Sequence, residues 1–231
     1  MVQMIRNILM DLDDTILDFH QAERCALEKT LVYLGIDPAP ETMARYSQIN
    51  LAQWKLLEQG KLTRDQVKVR RYTLLFDQLG VQRCARSAAQ YYEKQLAVGH
   101  FFIPGALETL KTLSARYRVY VVSNGTTAVQ RPRMESAGIG RYLSGVFLSE
   151  QISCAKPSPA FFEACFSGIE DFSRAQTVIV GDSLSADIRG GKDAGIATVW
   201  FNPGGACCPA QDAPDYQIRR LSELAPLLAG L

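Results

Sequence analysis

Five short apolar runs, each stopped by small polar or acidic residues and separated by stretches with helical periodicity, constrain the fold of this chain more than any other feature. They cover residues 5–10, 119–122, 145–148, 177–180 and 197–201. Continuous apolar runs of this length suit strands buried on both faces, which parallel sheets require. Helical patterns lie between them at 106–113, 126–137, 159–165 and 186–194. The alternation predicts an α/β fold: a Rossmann-like, doubly wound parallel sheet with helices covering both faces. Right-handed crossovers put every strand C-terminus on one edge, where ligands of such sheets bind.

Residues 19–96 interrupt the alternation and read as helical throughout. Ala22, Ala26, Leu27, Leu31 and Leu34 share one helical face, and Met43, Tyr46, Asn50, Trp54 and Leu57 another. Gly60 is expected to end the second helix. Thr63 with Gln66 reads as a capping box opening a third, with Val67, Leu74, Leu75 and Phe76 at its apolar positions, and a fourth is expected over 83–96. Pro104-Gly105 marks the return to the sheet. The expected organisation is a core domain of residues 1–18 and 97–231 with a helical cap lobe, 19–96, inserted after the first strand. An insert leaving that edge is placed to act as a lid.

Composition narrows the partners. With 25 Lys plus Arg against 24 Asp plus Glu, the chain has no charge surplus to draw it to nucleic acid or a membrane surface, and a small anion needs only a local field. No run approaches the ~20 apolar residues of a membrane span, and residues 1–10 do not read as a signal peptide. The six cysteines have no CxxC spacing, which fits reduced thiols and a cytoplasmic location, and adjacent Cys207 and Cys208 lack a nearby His or Cys to complete a metal site. At 47% hydrophobic, the chain can fill a core without disulfides or a structural metal. It is expected to be a monomer or homodimer.

Four polar clusters follow four of the runs. Asp11-Leu12-Asp13-Asp14-Thr15 follows the first, and acids there are costly unless a cation joins them. Ser123-Asn124-Gly125-Thr126 follows the second and offers a hydroxyl and backbone N–H groups at a helix start, as phosphate oxygens require, although such residues also make ordinary turns. Lys156-Pro157-Ser158-Pro159 reads as a turn with Ser158 at the N-cap and Pro159 at the first helical position, which would fix Lys156. Gly181-Asp182-Ser183-Leu184-Ser185-Ala186-Asp187 follows the fourth and adds carboxylates at the same edge. Mg²⁺ prefers oxygen ligands, and Asp11 and Asp182 would supply carboxylates.

In this order the clusters resemble the four motifs of the haloacid dehalogenase superfamily: Asp11-x-Asp13-x-Thr15, Ser123, Lys156, and Gly181-Asp182 with Asp187. Asn50 with Trp54, Gln59-Gly60-x-Leu62-Thr63, Ser123-Asn124-Gly125, Ala155-Lys156-Pro157 and Trp200-Phe201-Asn202 further resemble its pyrimidine 5′-nucleotidase branch. The resemblance implies a Mg²⁺-dependent phosphatase acting on a small phosphate ester, most closely a nucleoside 5′-monophosphate. Asp11 would be the nucleophile and Asp13 the acid–base, with Ser123, Lys156 and backbone N–H groups near Asn124 around the phosphoryl group. Asp11, Asp182 and the Asp13 backbone carbonyl would hold metal, with Asp187 ordering Lys156 or metal-bound water. Asn50 and Trp54 would line the specificity pocket, or else Trp54 is bundle core and Asn50 is solvated. An acid at Asp13 serves an alkoxide leaving group, which a halide does not need, and so argues against dehalogenation. A sugar-phosphate or phosphoglycolate-type phosphatase would share these motifs. A non-catalytic phosphometabolite-binding module is the alternative of another class, with degraded motifs as its signature.

Overall fold

A computed structural model describes residues 4–59 and 61–231. Six strands, β1 (Asn7–Met10), β2 (Arg118–Ser123), β3 (Gly145–Leu148), β4 (Thr177–Gly181), β5 (Ala197–Phe201) and β6 (Tyr216–Ile218), form one sheet in the order β3-β2-β1-β4-β5-β6. Every pairing is parallel. This is the order of dinucleotide-binding sheets, and the direction of winding reverses between β1 and β4. The three-residue Tyr-Gln-Ile strand β6 is not foreshadowed in the sequence, because it is too short to show a pattern.

The helices are α1 (Phe19–Tyr33), α2 (Pro40–Glu58), α3 (Arg64–Leu79), α4 (Ala85–Val98), α5 (Ala106–Ser114), α6 (Thr127–Ser136), α7 (Ser149–Ile152), α8 (Pro159–Ser167), α9 (Arg189–Asp193) and α10 (Leu224–Ala229). The chain divides into two compact units, one running up to Phe19 and resuming over His100–Leu231, the other His20–Gly99.

In the sheet unit the strand period of two sorts neighbouring residues onto opposite faces. Ile8, Met10, Val119, Val121, Val178 and Val180 join a core with Leu110 and Leu113 of α5, Met134 of α6 and Leu224 and Leu228 of α10. Leu9, Tyr120, Val122 and Ile179 join a second core with Phe161, Phe162, Cys165 and Phe166 of α8. Both faces are covered, which explains why these strands read as unbroken apolar runs. The helix expected at 186–194 is instead a π-type turn, Leu184–Ile188, followed by the short α9. The Ser183 hydroxyl accepts from the Ala186 N–H (3.1 Å) to open that turn.

In the helical unit α3 packs against both α2 and α4. The Thr63–Gln66 capping box is present in full, and Gly80 closes α3 in the left-handed conformation. Gly60, the expected end of α2, lies outside the described residues. The buried face of α2 is turned from the expected one: Tyr46 and Asn50 are buried with Ile49 and Gln53, whereas Met43, Trp54 and Leu57 are half-buried. Tyr46, Tyr72 and Tyr92 surround the Arg71 guanidinium, whose central carbon lies 4.5–5.6 Å from the three ring centroids. Cation–π attraction offsets part of the cost of burying that charge.

Candidate active site

Asp11 extends β1 by one residue, its N–H donating to Val180 O (2.9 Å) on β4. Asp182 directly follows β4. Both therefore stand at the switch point, where the crevice of a sheet with this order opens. Lys156 Nζ donates to Asp11 Oδ1 (2.6 Å), Asp187 Oδ1 (2.7 Å) and Val122 O (2.9 Å), so its three protons are all used. Its side chain is 2% exposed, that of Asp11 11% and that of Asp187 0%. The other Asp187 oxygen accepts from the Ser183 N–H (3.1 Å), so this carboxylate is held at both ends and orders Lys156.

Ligand oxygens of Asp11, Asp182 and Asp187 lie within 4.8 Å of one another. Burial pushes the Asp11 carboxyl up; Lys156 pulls it down, while Asp187, Asp182 and Asp13 push it further up. Burial, then Asp187 and Asp14, push Asp182 up to about 6. Burial opposes the charge on Lys156, but Asp11 and Asp187 outweigh it and hold the ammonium protonated. Three crowded carboxylates facing one lysine leave negative charge for a further cation to neutralise. Their oxygen-only donor set fits Mg²⁺. The Asp13 carboxylate is absent from this trio.

Gly181 is required for the arrangement, because a Cβ there would fall 2.2 Å from Asp187 Oδ2. Thr15, fully buried, donates its hydroxyl to Asp182 Oδ1 (3.2 Å), and the Trp200 indole N–H binds the Asp182 carbonyl (2.8 Å). Together they orient Asp182.

The loop carrying Lys156 is not fixed as expected. Ser158 occupies the N-cap position before Pro159, yet its side chain makes no capping bond. The Asn124 amide holds the loop instead: Oδ1 accepts from the Lys156 N–H (2.8 Å) and Nδ2 donates to the Lys156 carbonyl (3.0 Å). The Asn124 side chain thus ties the lysine loop to the end of β2. What Asn124 retains for an anion is its backbone.

Ser123 Oγ accepts from the Gly125 N–H (3.0 Å) and from Gln130 Nε2 (3.0 Å). Asp13 is partly exposed, its side chain at 26%, and its oxygens accept from Arg133 Nη1 and Gln130 Nε2 of α6. Gln130 and Arg133 are site residues that the sequence motifs do not single out. The available signal is a Gln-x-x-Arg pair on one helical face, buried to 1% and 0% where an apolar stripe would be usual.

In the helical unit, Asn50 Oδ1 accepts from Trp54 Nε1 (3.0 Å) and Arg71 Nη1 (3.0 Å), and its Nδ2 donates to Glu23 Oε1 (2.8 Å). The pair expected in a specificity pocket is therefore engaged within its own bundle, and Asn50 is buried where the bundle alternative has it solvated.

Fold and centre together define a Rossmann-like enzyme with an acidic site at the switch point of its sheet. The haloacid dehalogenase-like hydrolase family matches residues 8–201, and the chain belongs to that family. It is 36% identical over 223 residues to the HAD-hydrolase YfnB of Bacillus subtilis, covering 96% of this chain and 95% of that one. The crystal structure of that protein bound to magnesium, described as revealing interdomain movement, superimposes with a TM-score of 0.92 over 97% of this chain and 99% of the other. The pyrimidine 5′-nucleotidase PynA of Streptococcus pneumoniae is 36% identical over 222 residues, 96% of this chain and 94% of its own. The pyrimidine 5′-nucleotidase YjjG of Escherichia coli is 26% identical over 96% of both chains. No helix among the described residues is long and apolar enough to cross a membrane.

Proposed function

We propose that this protein is a Mg²⁺-dependent phosphomonoesterase that works through a phosphorylated Asp11 and prefers pyrimidine nucleoside 5′-monophosphates. The observation that carries the reading is the Lys156–Asp11–Asp187 centre at the switch point, with a second carboxylate, Asp13, two residues after Asp11. The nucleotide preference rests on the likeness to PynA and YjjG over 96% of the chain.

In this reading a carboxylate oxygen of Asp11 bonds to phosphorus as the ester P–O bond breaks, and the leaving alkoxide takes a proton from Asp13. Asp13, now ionised, removes a proton from water. That water attacks phosphorus and breaks the Asp11–phosphoryl bond, which releases phosphate and restores both carboxyls. Ser123 donates to an oxygen of the transferring group together with backbone N–H groups near Asn124, and Lys156, whose three protons are engaged, supplies positive charge beside it. Ser123 already accepts two hydrogen bonds, which fill both lone pairs and leave its own proton to be donated.

Asp11, Asp182 and the Asp13 backbone carbonyl would hold Mg²⁺, with Asp187 beside them ordering Lys156. Bound there, the metal supplies charge neutralisation between the Asp11 carboxylate and the phosphate dianion. Asn50 and Trp54 would reach a base only by exchanging the bonds that Asn50 makes to Glu23 and Arg71. Six free cysteines suit the reducing cytoplasm.

The test is phosphate release from a panel of nucleoside monophosphates and sugar phosphates, with magnesium and with chelator, for the wild type and Asp11→Asn. The expected result is highest kcat/KM on pyrimidine monophosphates, loss of turnover with chelator, and a folded, inactive Asp11→Asn. Wild-type turnover by Asp11→Asn would remove the nucleophile. A uniform preference for sugar phosphates would move the substrate class.

A further inference from the structure

Gln130 uses every hydrogen-bonding valence of its amide nitrogen inside the active site. One Nε2 proton goes to Asp13 Oδ2 and the other to Ser123 Oγ, and Oε1 accepts from Arg133 Nη1 (2.9 Å). Arg133 Nη1 also donates to Asp13 Oδ1. One planar group, fixed from behind by a fully buried guanidinium, therefore holds the carboxylate that handles protons and the hydroxyl that faces the phosphoryl oxygens. The local sequence makes room for it. A Cβ at Gly125 would lie 2.1 Å from Gln130 Nε2, so only glycine after Asn124 lets the amide reach across the start of α6. Gln130 and Arg133 sit one turn apart, the spacing that puts both on one face of the helix.

We propose that Gln130, backed by Arg133, is a positioning residue for the reaction: it sets the Asp13 carboxyl against the leaving-group oxygen and forces Ser123 to act as a donor. The proposal rests on the phosphatase reading above. Neither residue touches the phosphoryl group, and both act through Asp13 and Ser123. Truncating Gln130 leaves Asp13 tied to Arg133 alone and gives Ser123 a free lone pair, so its proton is no longer committed to substrate. Misplacing a catalytic group by ~1 Å costs up to roughly 10²-fold in rate, against roughly 10²–10⁴ for deleting a general acid–base group.

The experiment compares kcat/KM for a nucleoside monophosphate, whose alkoxide leaves poorly, with that for 2,4-dinitrophenyl phosphate, whose leaving group needs no proton. It uses wild type, Asp13→Ala, Gln130→Ala, Gly125→Ala and the double variant Asp13→Ala/Gln130→Ala, with thermal melts for each. Gln130→Ala is expected to lose roughly 10–100-fold on the nucleotide and much less on the aryl ester. Gly125→Ala should follow it, because its methyl displaces the same amide. The double variant should lose less than the two single losses combined on the nucleotide, since a deleted acid cannot be mispositioned and only the part exerted through Ser123 remains. Equal losses on both substrates, or full additivity in the double variant, would show that Gln130 merely supports the fold and would overturn the proposal. If Asp13→Ala itself lost activity equally on both substrates, the phosphatase reading of Asp13 would fall and this inference with it. If Asp13→Ala discriminated between them and Gln130→Ala did not, only the inference would fall.

Discussion

Replacing Lys156 with methionine keeps its length and removes its charge, which isolates the electrostatics of the centre. The ammonium is the hydrogen-bond partner of Asp11 Oδ1 at 2.6 Å and of Asp187 Oδ1 at 2.7 Å, and all three side chains are nearly or wholly buried. Removing one member of such a set strands the others, and breaking a buried pair this way costs about 3–5 kcal/mol. For a chain of this size ~1 kcal/mol shifts Tm by roughly 2–4 °C, so Lys156→Met should melt roughly 6–20 °C below wild type in chelator near neutral pH. Acid should narrow the deficit. The Asp11 carboxyl is already raised in the folded state, and the loss of Lys156 removes the pull that lowers it. A carboxyl raised on folding destabilises the native state once pH climbs above its unfolded value, and the full cost is reached above its folded value. The penalty is therefore largest at neutral pH and fades as Asp11 takes up its proton. Scanning calorimetry of both proteins in chelator across ~pH 4–8 reads this directly. A variant melting within ~2 °C of wild type at neutral pH, or a deficit that grows in acid, would refute the account of one lysine compensating two buried carboxylates.

Asp182 stands at about 6 in the folded protein against an ordinary value of 3.8, so in chelator it costs stability progressively as pH rises across that interval. Relative to Asp182→Asn, the wild-type Tm should therefore fall over the same range, and parallel pH curves for the two would contradict the shift. Gly181→Ala puts a methyl 2.2 Å from Asp187 Oδ2. It should cost about 1–3 kcal/mol, with Asp187→Ala in the same chain recovering part by opening the space. An unchanged denaturation midpoint would show that Asp187 can move at no cost. Asn50→Ala strips a partner from buried Arg71 and from Glu23. It should lower stability by about 1–3 kcal/mol while leaving the substrate ranking intact. Trp54→Leu should do the same more weakly, and a selective loss of nucleotide turnover in either variant would put these residues in the pocket instead.

Residues whose role is set by the strand edge are legible in the sequence alone. Burial on both faces leaves β1, β2, β4 and β5 as unbroken apolar runs, so whatever polar residue ends each run must stand at the edge. Asp11, Ser123 and Asp182 follow from that alone. Lys156 depends on a loop, and its placement has a different cause from the expected one. The helix-capping pattern at Ser158-Pro159 looks sufficient, but the Asn124 amide, 32 residues away in sequence, holds the loop. A side chain that pairs with a distant backbone leaves no periodic trace. The same limit explains Asn50 and Trp54, whose spacing is right for two residues on one helix face but says nothing of the Arg71 and Glu23 that engage Asn50.

The two glycines carry the more general lesson. Ser-Asn-Gly reads as turn chemistry and Gly-Asp as the end of a strand, and either description would accept another small residue. In the folded chain each glycine is the absence of a methyl that something else needs: Gly125 yields its space to Gln130, and Gly181 yields its space to Asp187. Both beneficiaries are buried polar side chains whose partners are polar or charged groups of the centre, Asp13 and Ser123 for one and Lys156 for the other. A glycine at or just past a strand end can thus mark close approach by a polar group from the following turn or helix, and the search for that group belongs within the next turn or two. Here it leads from Gly125 to Gln130 and from Gly181 to Asp187, two residues on which the geometry of the centre depends.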